Sequence, residues 1–251
     1  MRFDGRVVLI TGGAGAIAGA TGRAFADEGA TVVLAGRDAG NLAAAAERIG
    51  GGGGKVDWIA ADVTDSRQVA GLVVEVVGRH GGLHVAVNSA GVFTAPVPLA
   101  DLDEADWARH VDVNLTGVFL AMKHEIAHMR ANGGGVIVNI ASNIGAHGRR
   151  PGLAAYAATK AAVSALTRAA ARDHIADGVR IKAVSPGASD TPMSYRPGES
   201  RADRDARVRT AVPAGRVSDP AEVAAVVLWL ASDESSFVVG HDVVVDGGAT
   251  A

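Results

Sequence analysis

The sequence predicts an α/β fold, a single doubly wound domain whose seven-stranded parallel sheet carries helices on both faces. Short β-branched runs alternate with longer amphipathic stretches from one end of the chain to the other. The short runs are almost continuously apolar, the pattern of strands covered on both faces. No linker or break in composition divides the 251 residues, so 1–251 reads as one domain.

The first strand falls at 6–10, and a glycine-rich turn leads from it into a helix at 17–28. A strand at 31–35 is followed by Asp38, a natural helix cap, and a helix at 39–49. Further strands read at 57–60, 85–88, 136–140, 180–184 and 242–245, with helices at 66–80, 105–130, 153–176 and 220–231. Repeated strand–helix–strand units with right-handed crossovers give the doubly wound arrangement. The one long irregular stretch, 186–219, carries Pro192, Pro197, Gly198, Pro213 and Gly215. A loop of that length in a compact domain reads as a lid over a site, centred on 188–215.

A net charge of −3 with 20% charged residues carries no nucleic-acid footprint. The apolar stretch 153–171 is interrupted by Lys160 and Arg168, so no membrane span is expected. With no cysteine, disulfides, thiolate catalysis and thiolate metal sites are excluded. A strand starting at residue 6 leaves no space for a targeting peptide, and the expected location is cytoplasmic.

In open α/β sheets ligands lie beyond the carboxyl ends of the strands. After the first strand stands Thr11-Gly12-Gly13-Ala14-Gly15-Ala16-Ile17-Ala18-Gly19. Such a turn lets backbone N–H groups approach a pyrophosphate at the positive end of a helix, which places Gly12, Gly15 and Ile17 at a dinucleotide. After the second strand an acid would bond a ribose 2′-hydroxyl, and an arginine would suit a 2′-phosphate. Here Gly36 is followed by Arg37, which favours NADP(H), with NAD(H) as the other possibility. Asp62 and Val63 follow the third strand, and Asn88, Ser89, Ala90 and Gly91 close the fourth, where adenine and ribose would lie.

The fifth strand runs into Ser142, and Tyr156 and Lys160 begin a long helix with one face in common. A free phenol, with a pKa of about 10, is a poor base at neutral pH. A neighbouring ammonium, joined by a cationic nicotinamide, would favour the phenolate. Ser142 would bond the substrate oxygen while Tyr156 moves its proton, and Lys160 could also bond the nicotinamide ribose.

These ordered motifs resemble the short-chain dehydrogenase/reductase family in its single-domain form, close to its 3-oxoacyl-carrier-protein reductase-like members. The likeness runs from Arg6 to Gly248 and rests on the glycine turn, Asn88 to Gly91, Asn114, Ser142, Tyr156 with Lys160, and Pro186-Gly187. The resemblance implies a Rossmann-type sheet and hydride transfer between a nicotinamide cofactor and a carbonyl or alcohol. It implies a Ser142–Tyr156–Lys160 triad, joined by Asn114 in a proton relay to Lys160. Pro186, Gly187 and Thr191 would flank the nicotinamide, with Ser189 at its carboxamide, and the chain would form a homotetramer acting on a small molecule. Where the family shows glycine this chain has Ala16 and Ala18, and a methyl at Ala16 could crowd the pyrophosphate. That change motivates an alternative, a redox-inactive relative serving as a binding or scaffold subunit; the intact Asn114, Ser142, Tyr156 and Lys160 oppose it. Non-redox elimination on halohydrins would ask for arginine at position 160.

His124-Glu125-Ile126-Ala127-His128 matches a zinc-protease pattern. Residues 129–152 offer no carboxylate as third ligand, so no metal is expected and the segment reads as a surface or subunit-contact helix. His147 could touch substrate or be a loop histidine. Arg196, Arg201, Arg204, Arg207 and Arg209 could meet an anionic substrate but read first as a solvated helix face.

Overall fold

Seven parallel strands form one sheet in the order β3-β2-β1-β4-β5-β6-β7, in a computed structural model that describes residues 1–251. They are β1 (Val7–Thr11), β2 (Thr31–Gly36), β3 (Lys55–Ala60), β4 (Val85–Asn88), β5 (Gly135–Ile140), β6 (Val179–Pro186) and β7 (Asp242–Val245). Every residue of β1 and β4 is buried, because both faces of the sheet are covered. Val8 and Ile10 face a core shared with α1 (Ala16–Asp27), α2 (Ala39–Gly50) and α8 (Pro220–Ala231). Val7 and Leu9 face the other core, with α3 (Ser66–His80), α5 (Gly117–Ala131) and α6 (Ala154–His174).

Caps start the helices where the sequence places them. Asp38 accepts the Asn41 amide at the head of α2, at 2.9 Å. Asp65 accepts from Arg67 and Gln68 at the head of α3, and Asp219 with Glu222 forms a reciprocal box ahead of Pro220. The strand order reverses between β1 and β4, and there the crevice opens at the carboxyl ends. Register aligns Thr11 with Asn88 and Asn88 with Asn139 across that switch.

The structure differs from expectation in two places. The helix expected at 105–130 is two helices, α4 (Glu104–Val111) and α5, joined by a π-turn at Asp112–Thr116. Asn114 is the cause we assign: its Oδ1 accepts the Val92 amide at 2.7 Å and its Nδ2 donates to the Val92 carbonyl at 3.0 Å. Anchoring that side chain inward widens the helix by one residue. The 186–219 stretch is not irregular throughout, since it holds α7 (Arg201–Ala211) and a short 3₁₀ turn at Pro192–Ser194. Its helix hides from a periodicity reading because the buried positions are Arg204 and Val208, a cation alongside an alkyl group.

Candidate active site

A cavity of about 760 Å³ opens beyond β1, β2 and β4, lined by Gly12, Arg37, Asp62, Val63, Ala90 and Gly91 among others. Gly12 sits at φ +67°, and a Cβ there would come within 2.8 Å of the Ala90 backbone. Only glycine lets the β1 turn and the β4 turn close together at this point. Thr11 ties the same two turns, its hydroxyl accepting the amides of Ser89 and Ala90 at 3.2 and 3.3 Å. Gly15 is the N-cap of α1, extended and without a side chain to cap the helix. The amides of Ala16, Ile17 and Ala18 therefore have no partner in the chain.

Uncapped amides beside a glycine cradle and a long cavity fit a dinucleotide, with its pyrophosphate on the α1 terminus. The two alanines stand in different places. Ala18 is buried in the core beneath the helix, and Ala16 is exposed at its first position. The Arg37 side chain is exposed at the rim with no ion-pair partner, while Asp38 is occupied as a cap. Asp62 turns its carboxylate to Thr64, at 2.9 Å from both amide and hydroxyl.

Asn88 departs from its expected place. Its side chain points into the protein and donates to Glu125 and Asn139, both at 3.0 Å, so it braces β4 against α5 and β5 rather than lining the cavity. Ile17, Pro186, Gly187, Ser189 and Thr191 also lie outside that cavity's lining. Pro186 and Gly187 close β6 against β7, where a Cβ on Gly187 would strike Asp246 at 2.6 Å. The Ser189 hydroxyl is paired with that of Ser218 at 2.7 Å, and Thr191 leads into the 3₁₀ turn.

Ser142, two residues beyond β5, lies beside the Tyr156 phenol at the start of α6, and its hydroxyl accepts the Ile144 amide at 3.1 Å. Burial pushes the Tyr156 pKa up, and the Ser142 hydroxyl partly opposes that rise. Lys160 is 4% exposed, donates from Nζ to the Ile140 carbonyl at 2.8 Å and lies 5.9 Å from the centre of the Tyr156 ring. Burial lowers its pKa to about 8. The depression of the phenol expected from Lys160 is absent in the chain alone: burial raises the pKa, and only Ser142 acts against it. Gly91 connects the two ends of the crevice: a Cβ there would lie 3.4 Å from Asn114 Oδ1 and 3.7 Å from Lys160 Nζ.

Sequence reasoning missed several neighbours. Phe93 packs edge-on against Tyr156, ring centres 5.1 Å apart, and Val113 on the π-turn lines the cavity. Val113 was legible as the neighbour of Asn114; Phe93 carried no signal. His147 bonds Asp242 at 3.0 Å, a packing contact with the start of β7. Glu125 of the zinc-like pattern is not on a surface: it is 1% exposed, and burial raises its pKa to about 7. Arg204 is likewise buried, paired with Asp190 and Asp205 and stacked 4.5 Å over Tyr195. Arg207 is engaged by Glu199, while Arg196, Arg201 and Arg209 keep the solvated face expected of them.

Residues 12–250 match a family model described as enoyl-(acyl carrier protein) reductase. The chain is 42% identical to cis-4-hydroxycyclohexanecarboxylate dehydrogenase of Sinomonas cyclohexanicum, over 99% of this chain and 98% of that protein. It belongs to the short-chain dehydrogenase/reductase family. Another relative, the 3-oxoacyl-[acyl-carrier-protein] reductase FabG of Thermotoga maritima, is 40% identical over 99% of both chains. The crystal structure of levodione reductase superposes with a TM-score of 0.94 at 34% identity, covering 99% of each chain. This short-chain dehydrogenase/reductase is accordingly an oxidoreductase, and the family uses NAD(P)(H) and transfers hydride.

Proposed function

We propose that the protein interconverts a secondary alcohol on a six-membered ring and the corresponding ketone, with NADP(H) preferred over NAD(H). The convergence of Ser142, Tyr156 and Lys160 at the buried end of β5 carries this reading. The ring comes from the Sinomonas relative's name, and the Phe93 ring beside Tyr156 offers it an apolar wall. Bound NADP(H) would supply or take the hydride and, when oxidised, bring a positive charge that favours the phenolate.

Ser142 holds the substrate oxygen, and Tyr156 gives or takes the proton at Oη. Lys160 and Asn114 hold the proton path behind it, with Gly91 leaving room beside both. Gly12, Gly15, Ile17, Ala90 and Gly91 cradle the pyrophosphate and ribose by main chain; Asp62 and Val63 stand at the adenine. Pro186, Gly187, Ser189 and Thr191 flank the nicotinamide, and Asn88 supports the site from behind. The segment 188–215 acts as the lid. Arg37, free at the rim, takes the 2′-phosphate.

No helix is long and apolar enough to cross a membrane, and we place the enzyme in the cytoplasm with its small-molecule substrate. A homotetramer would cover the exposed Phe119 of α5 and Phe237, the latter 100% exposed in the single chain; light scattering on the eluting protein tests it. Titration with NADPH and NADH, followed by nicotinamide fluorescence, tests the cofactor site, and oxidation of cyclohexanol tests the chemistry. Tighter NADPH binding with turnover is expected; binding of neither cofactor would return the scaffold alternative.

A further inference from the structure

Asp242 opens β7 outside the crevice, yet its side chain is only 2% exposed. Three donors from three other segments meet on its carboxylate. The Ser185 hydroxyl donates to Oδ1 at 2.7 Å. The Ser164 hydroxyl and His147 Nε2 donate to Oδ2 at 2.5 and 3.0 Å. A carboxylate accepts at both oxygens, so one side chain satisfies all three donors.

Each donor stands on a segment that supplies the candidate site. Ser164 lies on α6 one turn beyond Lys160, its hydroxyl also 3.3 Å from the Lys160 carbonyl. Ser185 directly precedes Pro186 and Gly187 at the end of β6. His147 lies on the loop that leaves Ser142 and returns to Tyr156. That loop is closed by its own bonds. The Gly145 amide donates to the Gly148 carbonyl at 3.0 Å and the Gly148 amide to the Asn143 carbonyl at 2.7 Å. The Ile144 amide donates to the Ser142 hydroxyl at 3.1 Å. Gly145 presses on α6, where a Cβ would come within 2.8 Å of the Ala161 amide nitrogen. A loop tied in this way moves as a unit, so a bond made at His147 is felt at Ser142.

We propose that Asp242 is a positioning residue: a joint that fixes the Ser142 loop, the Tyr156–Lys160 turn and the Pro186–Gly187 turn relative to one another. His147 is the arm that holds the Ser142 loop. The buried carboxylate acts through the segments it joins and not on the substrate. The proposal rests on the roles given above to Ser142 and Tyr156. Those groups stand on separate segments, and a displacement of about 1 Å between them can cost about 10²-fold in rate.

His147→Leu removes the donor, whereas His147→Gln keeps an N–H; Asp242→Asn replaces one acceptor oxygen at equal volume. Cyclohexanol oxidation with NADP⁺ is followed at steady state, and hydrogen exchange at 143–148 by mass spectrometry on the same samples. His147→Leu and Asp242→Asn are expected to lower kcat about 10- to 100-fold, with KM and the NADPH Kd within about threefold. Exchange at 143–148 should quicken about tenfold in both. His147→Gln should hold both readings within about threefold of wild type. In a Ser142→Ala background, His147→Leu should cost less than about threefold further, because the group it positions is gone. Undiminished kcat in His147→Leu, equal losses in the Leu and Gln variants, or full additivity with Ser142→Ala overturns the joint. A loss of NADPH affinity matching the loss of kcat also overturns it, as a purely structural contact. If the wild-type protein turns over no cyclohexanol, the ring-alcohol reading falls alone and exchange decides the joint. Faster exchange in His147→Leu but not His147→Gln then upholds it, and unchanged exchange overturns it.

Discussion

At the ends of β1, β2 and β4 the crevice is walled by main chain and small residues; the 188–215 segment, proposed as its other wall, is built of arginines and carboxylates. The first wall is held by strand register and by glycines such as Gly12, whose close approach to Ala90 tolerates no Cβ. The second is held by ion pairs between separated positions, Arg204 with Asp190 and Arg207 with Glu199. Main-chain recognition suits a constant ligand such as a pyrophosphate. Side-chain recognition can be rewritten without disturbing the sheet, which suits a substrate that varies among relatives.

The comparison breaks most sharply at the point where the walls meet. Tyr156→Phe should lower kcat about 10²–10⁴-fold while the NADPH affinity holds, as measured by steady-state rates and fluorescence titration. Retained turnover would remove the proton-transfer role. Next comes Arg204→Leu, which removes the buried cation between Asp190 and Asp205 and leaves both to the exposed Arg201. KM is expected to rise about tenfold or more and proteolysis within 188–215 to accelerate, since unpairing one member of a buried pair is costly. An unchanged cofactor Kd in that variant would show the two walls to be independent; a matching loss would merge them.

Arg37→Ala acts on the first wall by side chain. NADPH affinity should fall about tenfold and NADH affinity hardly at all, the scale of one charge-assisted contact. Equal losses would assign Arg37 no part in cofactor choice.

The smallest effect concerns the brace behind both walls. Glu125 has its pKa raised to about 7 by burial, so the folded chain binds a proton that the unfolded chain releases near pH 4.5. Its stabilising contribution is full below that value and is lost as pH rises to about 7. The Glu125 Oε1 and Asn88 Oδ1 atoms are both buried without partners, so the pocket favours the neutral carboxyl. Glu125→Gln supplies an amide donor at every pH. It should flatten the melting temperature against pH and raise it by a few degrees at pH 8, in scanning calorimetry. An unaltered slope would place the titration elsewhere.

Much of the first wall is legible in the sequence. Apolar runs gave away strands buried on both faces, Asp38 announced the α2 cap, and glycines after β1 marked the turn. The pairing of Ser142 with Tyr156 and Lys160 could be read because strand ends and helix starts in this topology converge on one crevice. Asn88 was misplaced because its position at a strand end says nothing about which way its side chain turns. The π-turn was invisible because its cause, the pair of bonds from Asn114 to Val92, spans 22 residues.

The sequence by itself determined the layers and put forward Ser142, Tyr156 and Lys160 as candidate reacting side chains, because periodicity and turn chemistry are local. Tertiary structure alone decided which charges were spent and which were free. Glu125 is buried beside Asn88, Arg204 is enclosed by carboxylates, and Arg150 is left without one. Desolvation and pairing depend on distances between segments remote in the chain, and spacing along the chain does not encode them.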